Sequence, residues 1–152
     1  MTLKDSIEHT EKQLTYEQAV EFARERHKGQ LDKSGLPVFN HVFRVSTAVQ
    51  GPIQRIVGVL HDILEDTPTS LKELKDLGAT DDVLQAVCLL TRCPDVKYMD
   101  YIHRLCWDPI ARAVKREDLL DNLSETRMCV LDEATQKRLR AKYSAALEWV
   151  ND

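Results

Sequence analysis

Glycine and proline are scarce in this chain, five of each in 152 residues, and aromatic residues make up 6%. So little turn-forming material, with few β-branched runs, disfavours an all-β sandwich built on many tight turns. Cysteine is limited to Cys88, Cys93, Cys106 and Cys129, none of them in a C-x-x-C pair. They fit a reducing compartment better than a disulfide frame or a zinc knuckle. No apolar run nears the roughly 20 residues that span a bilayer. The opening MTLKDSIEHTEKQ lacks the basic-then-apolar pattern of a secretory signal. An excess of positive charge is missing as well. The net charge of −4 argues against non-specific binding to a nucleic-acid polymer, which needs a dominant basic face. What is present is ordinary: 43% hydrophobic and 30% charged residues, at a length that suits one core. The expectation is one cytoplasmic domain with no membrane partner.

The order of apolar residues predicts helices. Residues 1–14 are polar and expected to be flexible, and 15–152 to form the single domain. Thr15 opens T-Y-E-Q, a capping-box pattern with Gln18, and Gly29 closes the helix that follows. A second helix is predicted near 39–49. Pro52 suits a helix start, and from there Ile53, Val57, Leu60 and Leu64 form one stripe while Ile56, Val59 and Ile63 form another. A helix apolar on most sides belongs at the centre of a bundle. Its end is set at Thr67-Pro68, because a residue before proline avoids the helical region. Further helices are predicted at 71–77, 82–91, 98–107, 109–123 and 135–150. Cys88 continues the Leu84 stripe and is expected in the core. The fold class is all-α, a compact helical bundle with short connections.

The polar residues of the central helix gather in its last turns, as HDILED at 61–66. On one continuous helix His61 and Glu65 share a side, as do Asp62 and Asp66. Three acids beside a histidine on a buried helix are costly without a cation. The negative end of the helix dipole also favours a cation there. A solvated polar turn is the alternative reading of these six residues. Elsewhere, His41 opens the preceding helix and Asp118 lies in KREDLLDN, 115–122.

In the order H…HD…D, the set His41, His61, Asp62 and Asp118 resembles the metal site of the HD-domain phosphohydrolases. Residues 23–41, ARERHKGQLDKSGLPVFNH, are similar to the A-x-x-x-H-x-G-Q-x-x-K-x-G-x-P-Y-I-x-H-P stretch of the RelA/SpoT hydrolase domain. HDILEDT matches its H-D-x-x-E-D-T, and Lys115, Asp118 and Asn122 match its K-x-x-D-x-x-x-N. The likeness runs over roughly residues 16–150, and three motifs in order make it specific.

The resemblance implies a metal-dependent phosphohydrolase acting on a phosphorylated nucleotide, in the manner of a guanosine 3′,5′-bis(diphosphate) 3′-pyrophosphohydrolase. It implies His41, His61, Asp62 and Asp118 as ligands of one divalent ion, usually manganese. Mixed imidazole and carboxylate ligands suit Mn²⁺, Fe²⁺ or Zn²⁺. It implies Glu65 and Asp66 as the groups that position and deprotonate water, and Lys33, Lys115 and Asn122 as substrate contacts. Lys115 has a second reading, as a partner of Asp118 or Glu117. His27 is read as a buried, hydrogen-bonded histidine beside the site.

Departures from the family pattern fall at Asp32, where a basic residue is usual, at Val38 and Val42, and at Asp121, where an aromatic residue or histidine is usual. They bear on the substrate and leave the metal set intact. Two alternatives follow. One is a nucleotide-sensing or partner-binding module with little turnover. The other is a 5′-nucleotidase or phosphomonoesterase of the same metal chemistry. At this length there is room for the hydrolase-type bundle and none for a synthetase domain.

Overall fold

The capping box forms as expected in the structure, a computed structural model that describes residues 12–151. The Thr15 hydroxyl accepts the Gln18 N–H at 3.2 Å, and the Gln18 side-chain oxygen accepts the Thr15 N–H at 3.0 Å. Helix α1 (Tyr16–Arg26) ends ahead of Gly29, whose φ of +80° is a conformation that favours glycine. The loop after it is organised by Asp32. One oxygen, Oδ1, accepts the Ser34 N–H, the Ser34 hydroxyl and the Leu36 N–H at 2.9, 2.5 and 3.0 Å.

The chain then runs through α2 (Val38–Ala48), α3 (Pro52–Leu60), α4 (Ile63–Asp66), α5 (Leu71–Asp76) and α6 (Asp81–Leu89). It finishes with α7 (Tyr98–Leu105), α8 (Pro109–Asn122), α9 (Glu125–Met128) and α10 (Glu133–Asn151). No strand occurs among the described residues. None of the described helices is long and apolar enough to cross a membrane.

The all-round apolar segment takes the central place predicted for it. Ile56, Val57, Gly58, Val59 and Leu60 are consecutive and buried, and α3 packs against α1, α2, α6 and α8. At Gly58 the approach to α2 is close: a Cβ there would lie 2.9 Å from the Ser46 Cα. The absent side chain lets two backbones nearly touch, and this brings the end of α3 beside the start of α2.

Four expectations are corrected. The helix predicted through 52–66 is interrupted at His61 and Asp62, and α4 is a separate short turn. The cause is local. His61 Nδ1 donates to the Gly58 carbonyl oxygen at 2.6 Å, an acceptor that a straight helix would spend on the Asp62 N–H. A helix with no apolar periodicity, α9, lies between the helices predicted at 109–123 and 135–150, where none was predicted. Cys88 is exposed rather than in the core, and all four cysteines are free. Of the segment expected to be flexible, residues 1–11 lie outside the described residues, whereas Leu14 is buried and its N–H donates to the Gly78 carbonyl oxygen at 2.8 Å. Gly78 permits this contact, since a Cβ there would overlap the Lys12 carbonyl oxygen.

Candidate metal centre and its cavity

Three separate segments converge on one point: the first turn of α2 with His41, the interruption after α3 with His61 and Asp62, and α8 with Asp118. His41 Nε2 lies 2.8 Å from Asp118 Oδ1 and 3.8 Å from Asp62 Oδ2. His61 Nε2 lies 3.3 Å from Asp118 Oδ1 and 3.4 Å from Asp62 Oδ2. One donor atom from each of His41, His61 and Asp62 falls within 4.8 Å of the others. Only the convergence of distant segments makes the set, and the interruption between α3 and α4 is what turns His61 and Asp62 to the same point.

The donor chemistry fits a divalent cation. His61 spends its Nδ1 proton on the Gly58 carbonyl, so its Nε2 lone pair faces the two carboxylates. That Nε2 is buried and has no hydrogen-bond partner. Buried polar atoms are rarely left so, and those that are call for an explanation. Charge points the same way. Burial works against a charged His61, but Asp62 and Asp118 outweigh it and raise its pKa from 6.5 to about 9. His41 is likewise raised, burial being overcome by hydrogen bonds to Asp118 and Asp121. The cluster draws positive charge.

Lys115 takes the arrangement its second reading gave. Its Nζ donates to Asp118 Oδ2 at 2.8 Å and lies 5.2 Å from the centre of the Tyr101 ring. Burial alone would hold the Lys115 pKa down, yet Asp118 lifts it well above the ordinary lysine value. In return Asp118, despite its burial, is held well below the usual carboxylate range by Lys115 and His61. Asn122 donates to Asp118 Oδ1 at 3.3 Å.

Glu65 and Asp66 sit on α4 at the rim. Glu65 accepts the Arg92 N–H. Loss of water contact raises its pKa against that bond, and the Asp62 and Asp66 carboxylates add to the rise. For Asp66 loss of water contact, reinforced by Asp62, brings the pKa from 3.8 to about 6. His27 is buried and outside the cluster. Its Nδ1 shares a hydrogen bond with Gln30 Oε1 at 2.9 Å, and Gln30 Nε2 donates to the Asp66 carbonyl at 2.8 Å.

The cluster borders a cavity of about 650 Å³. Every site residue singled out in the sequence lines it except His61, which is buried alongside. The far wall went unread in the sequence. Lys142 Nζ stands 4.3 Å from the Tyr98 ring centre, and the Arg92 guanidinium faces the same ring at 5.5 Å. Burial, with Arg92, Lys33 and Lys115 nearby, lowers the Lys142 pKa. Arg127, on α9, joins the lining as well. None of these carries a local signal: their common feature is the cavity, and the segments that supply them are separate in the chain.

No family model matches the chain. It is 40% identical over 65 residues to a protein of Spiroplasma citri named guanosine-3′,5′-bis(diphosphate) 3′-pyrophosphohydrolase, covering 40% of this chain and 9% of that one. To the protein of the same name from Aquifex aeolicus it is 30% identical over 135 residues, 81% of this chain and 19% of that one. A Streptomyces coelicolor GTP pyrophosphokinase is 29% identical over 135 residues, 80% and 16% of the two chains. The chain thus spans less than a fifth of the length of these curated relatives. Among solved structures it resembles one described as "A metazoan ortholog of SpoT hydrolyzes ppGpp and plays a role in starvation responses", at a TM-score of 0.76 and 21% identity. That match covers 89% of this chain and 84% of that one. The two share one fold, an all-α bundle.

Proposed function

Starting from a chain that is an HD-type, RelA/SpoT hydrolase-like domain, we propose that it is a metal-dependent phosphohydrolase of phosphorylated nucleotides. The substrate class we favour is guanosine 3′,5′-bis(diphosphate), cleaved at its 3′-pyrophosphate. The observation that carries this reading is the meeting of two histidines and two carboxylates from three segments at one wall of a cavity. The named relatives that hydrolyse this nucleotide support the choice of substrate.

His41, His61, Asp62 and Asp118 would hold one divalent ion, Mn²⁺ in the first instance, with Fe²⁺ or Zn²⁺ compatible with the same donors. Such an ion, when bound, supplies a more acidic water and a counter-charge for phosphoryl oxygens. The protein side of the chemistry falls to the rim. Glu65 and Asp66 position and deprotonate the attacking water: both carboxyls are raised above the ordinary range, and Asp66, with a pKa of about 6, is still mostly ionised at neutral pH. Lys115 keeps Asp118 ionised, and Lys33, Arg92 and Lys142 give the cavity the cations that a polyanion needs. Attack of water on the phosphorus attached to the 3′ oxygen breaks that P–O bond. Pyrophosphate leaves and the 3′ oxygen takes up a proton.

The test is a release assay with added Mn²⁺ over guanosine 3′,5′-bis(diphosphate), 5′-mononucleotides and simple phosphomonoesters. Pyrophosphate from the first, abolished together with metal retention in His61→Ala or Asp62→Ala, is the expected result. Phosphate from the monoesters alone would make the protein a nucleotidase or phosphomonoesterase. Tight binding without turnover across the panel would make it a sensor.

A further inference from the structure

Resting on that metal site, we infer that Asp121 is a positioning residue for His41: its carboxylate accepts a hydrogen bond from Nδ1–H and so leaves the Nε2 lone pair for the ion. Two groups approach His41 Nδ1, Asp121 Oδ2 at 2.6 Å and Arg127 Nη1 at 2.8 Å. They ask for opposite tautomers. A guanidinium can only donate, so a bond from Arg127 would need a bare Nδ1 and put the ring proton on Nε2, where it would block an ion. A carboxylate can only accept. Asp121 is the closer of the two, and it matches the carboxylate–histidine–metal arrangement by which an outer carboxylate fixes a ligand's ring.

Arg127 has other uses for the same nitrogen. Nη1 lies 2.5 Å from Asn122 Oδ1 and 3.2 Å from Asp121 Oδ2, and Nη2 lies 3.1 Å from Asp32 Oδ2. Arg44 completes the set, with Nε and Nη2 at 2.8 and 3.1 Å from the Asp121 oxygens. Asp32 and Asp121, the two acidic departures from the family pattern, are therefore held by one guanidinium. Asp32 spends its oxygens on its own loop and on Arg127, and its charge is matched.

The experiment is calorimetric titration of Mn²⁺ into the metal-free full chain, with Zn²⁺-loaded samples for ¹⁵N-edited NMR. Asp121→Ala is expected to weaken Mn²⁺ binding by about 10–100-fold. It should also remove the low-field His41 Nδ1–H resonance expected of the wild type. Asp121→Asn, which keeps the shape and loses the charge, should shift affinity in the same direction. Arg44→Gln strips two hydrogen bonds from Asp121 and leaves the carboxylate in place, so Mn²⁺ affinity should stay within about 3-fold of wild type, well inside the range for losing an outer-shell partner. Circular dichroism establishes that each variant is folded. Unchanged affinity in both Asp121 variants overturns the inference, and so does an Arg44→Gln loss as large as that of Asp121→Ala, because Asp121 would then be an ion-pair anchor only. A wild-type chain that binds neither metal overturns the metal site itself, a result distinct from either.

Discussion

Replacing Lys115 with methionine tests the electrostatic frame of the site more directly than deleting a ligand. Lys115 Nζ and Asp118 Oδ2 are 2.8 Å apart, with 11% and 6% of the two side chains exposed. Removing one member of a buried pair strands the other charge, at a cost of about 3–5 kcal/mol. Two features favour the low end. Methionine fills the space of the lysine stem against Tyr101, and with no ion between them His41 Nε2 still lies 2.8 Å from Asp118 Oδ1. A loss of ~3 kcal/mol in a domain of this size corresponds to a melting temperature ~6–12 °C lower. Scanning calorimetry in chelator reads that shift. With excess Mn²⁺ the gap to wild type should narrow, since an ion beside Asp118 replaces part of the missing charge. If Lys115→Met in chelator melts within about 2 °C of wild type, less than the shift of ~1 kcal/mol, Lys115 is not the counter-charge of Asp118. A gap that is the same with and without Mn²⁺ removes Asp118 from the ion's surroundings.

Three further outcomes follow. Glu65→Gln should keep Mn²⁺ and slow turnover by about 10²–10⁴-fold, the range for general-base catalysis; if Glu65→Gln combined with Asp66→Asn still turns over at the wild-type rate, the base lies elsewhere. For the metal-free protein, the His61 pKa, raised from 6.5 to about 9, adds stability that is fully present below pH 6.5 and lost as pH climbs to about 9. Melting temperature in chelator should therefore fall across that window, and a flat or rising profile contradicts the assignment. Gly58→Val would press a side chain onto the Ser46 backbone, 2.9 Å from the position of its Cβ. The expected cost is about 1–3 kcal/mol, read as a lower melting temperature, together with weaker Mn²⁺ binding because His61 moves with the end of α3.

Much of the bundle was legible because its signals are local. The Thr15 box, the proline at 52 and the apolar run of α3 each depend on neighbours within a turn or two. The box and the proline took their expected form, and Ile56–Leu60 are buried as expected, although Ile53 is exposed and Ile63 and Leu64 fall on α4. The residues proposed for the metal site could be named for the same reason, as short motifs in order, and the structure brings them together. What escaped depends on contacts across the chain. The break at His61 comes from a side chain competing for a carbonyl, which periodicity does not register. Arg127 sits on a four-residue helix, too short for an amphipathic pattern, and its partners lie 5, 6 and 95 positions away for Asn122, Asp121 and Asp32. Cys88 follows an apolar stripe but lands on the exposed flank of α6. Asp32 read as a missing cation because its partner could not be seen from the loop alone.

The bond from His61 to the Gly58 carbonyl has a bearing on how mutants of this site are to be interpreted. The same imidazole that faces the carboxylates also keeps α3 and α4 from fusing. A substitution at position 61 frees the carbonyl, lets the backbone close into one longer rod, and rotates Glu65 and Asp66 about its axis. On the proposed roles, loss of turnover in such a mutant mixes two lesions, a missing ligand and a displaced base. Asp62→Asn, which leaves that carbonyl occupied, separates them.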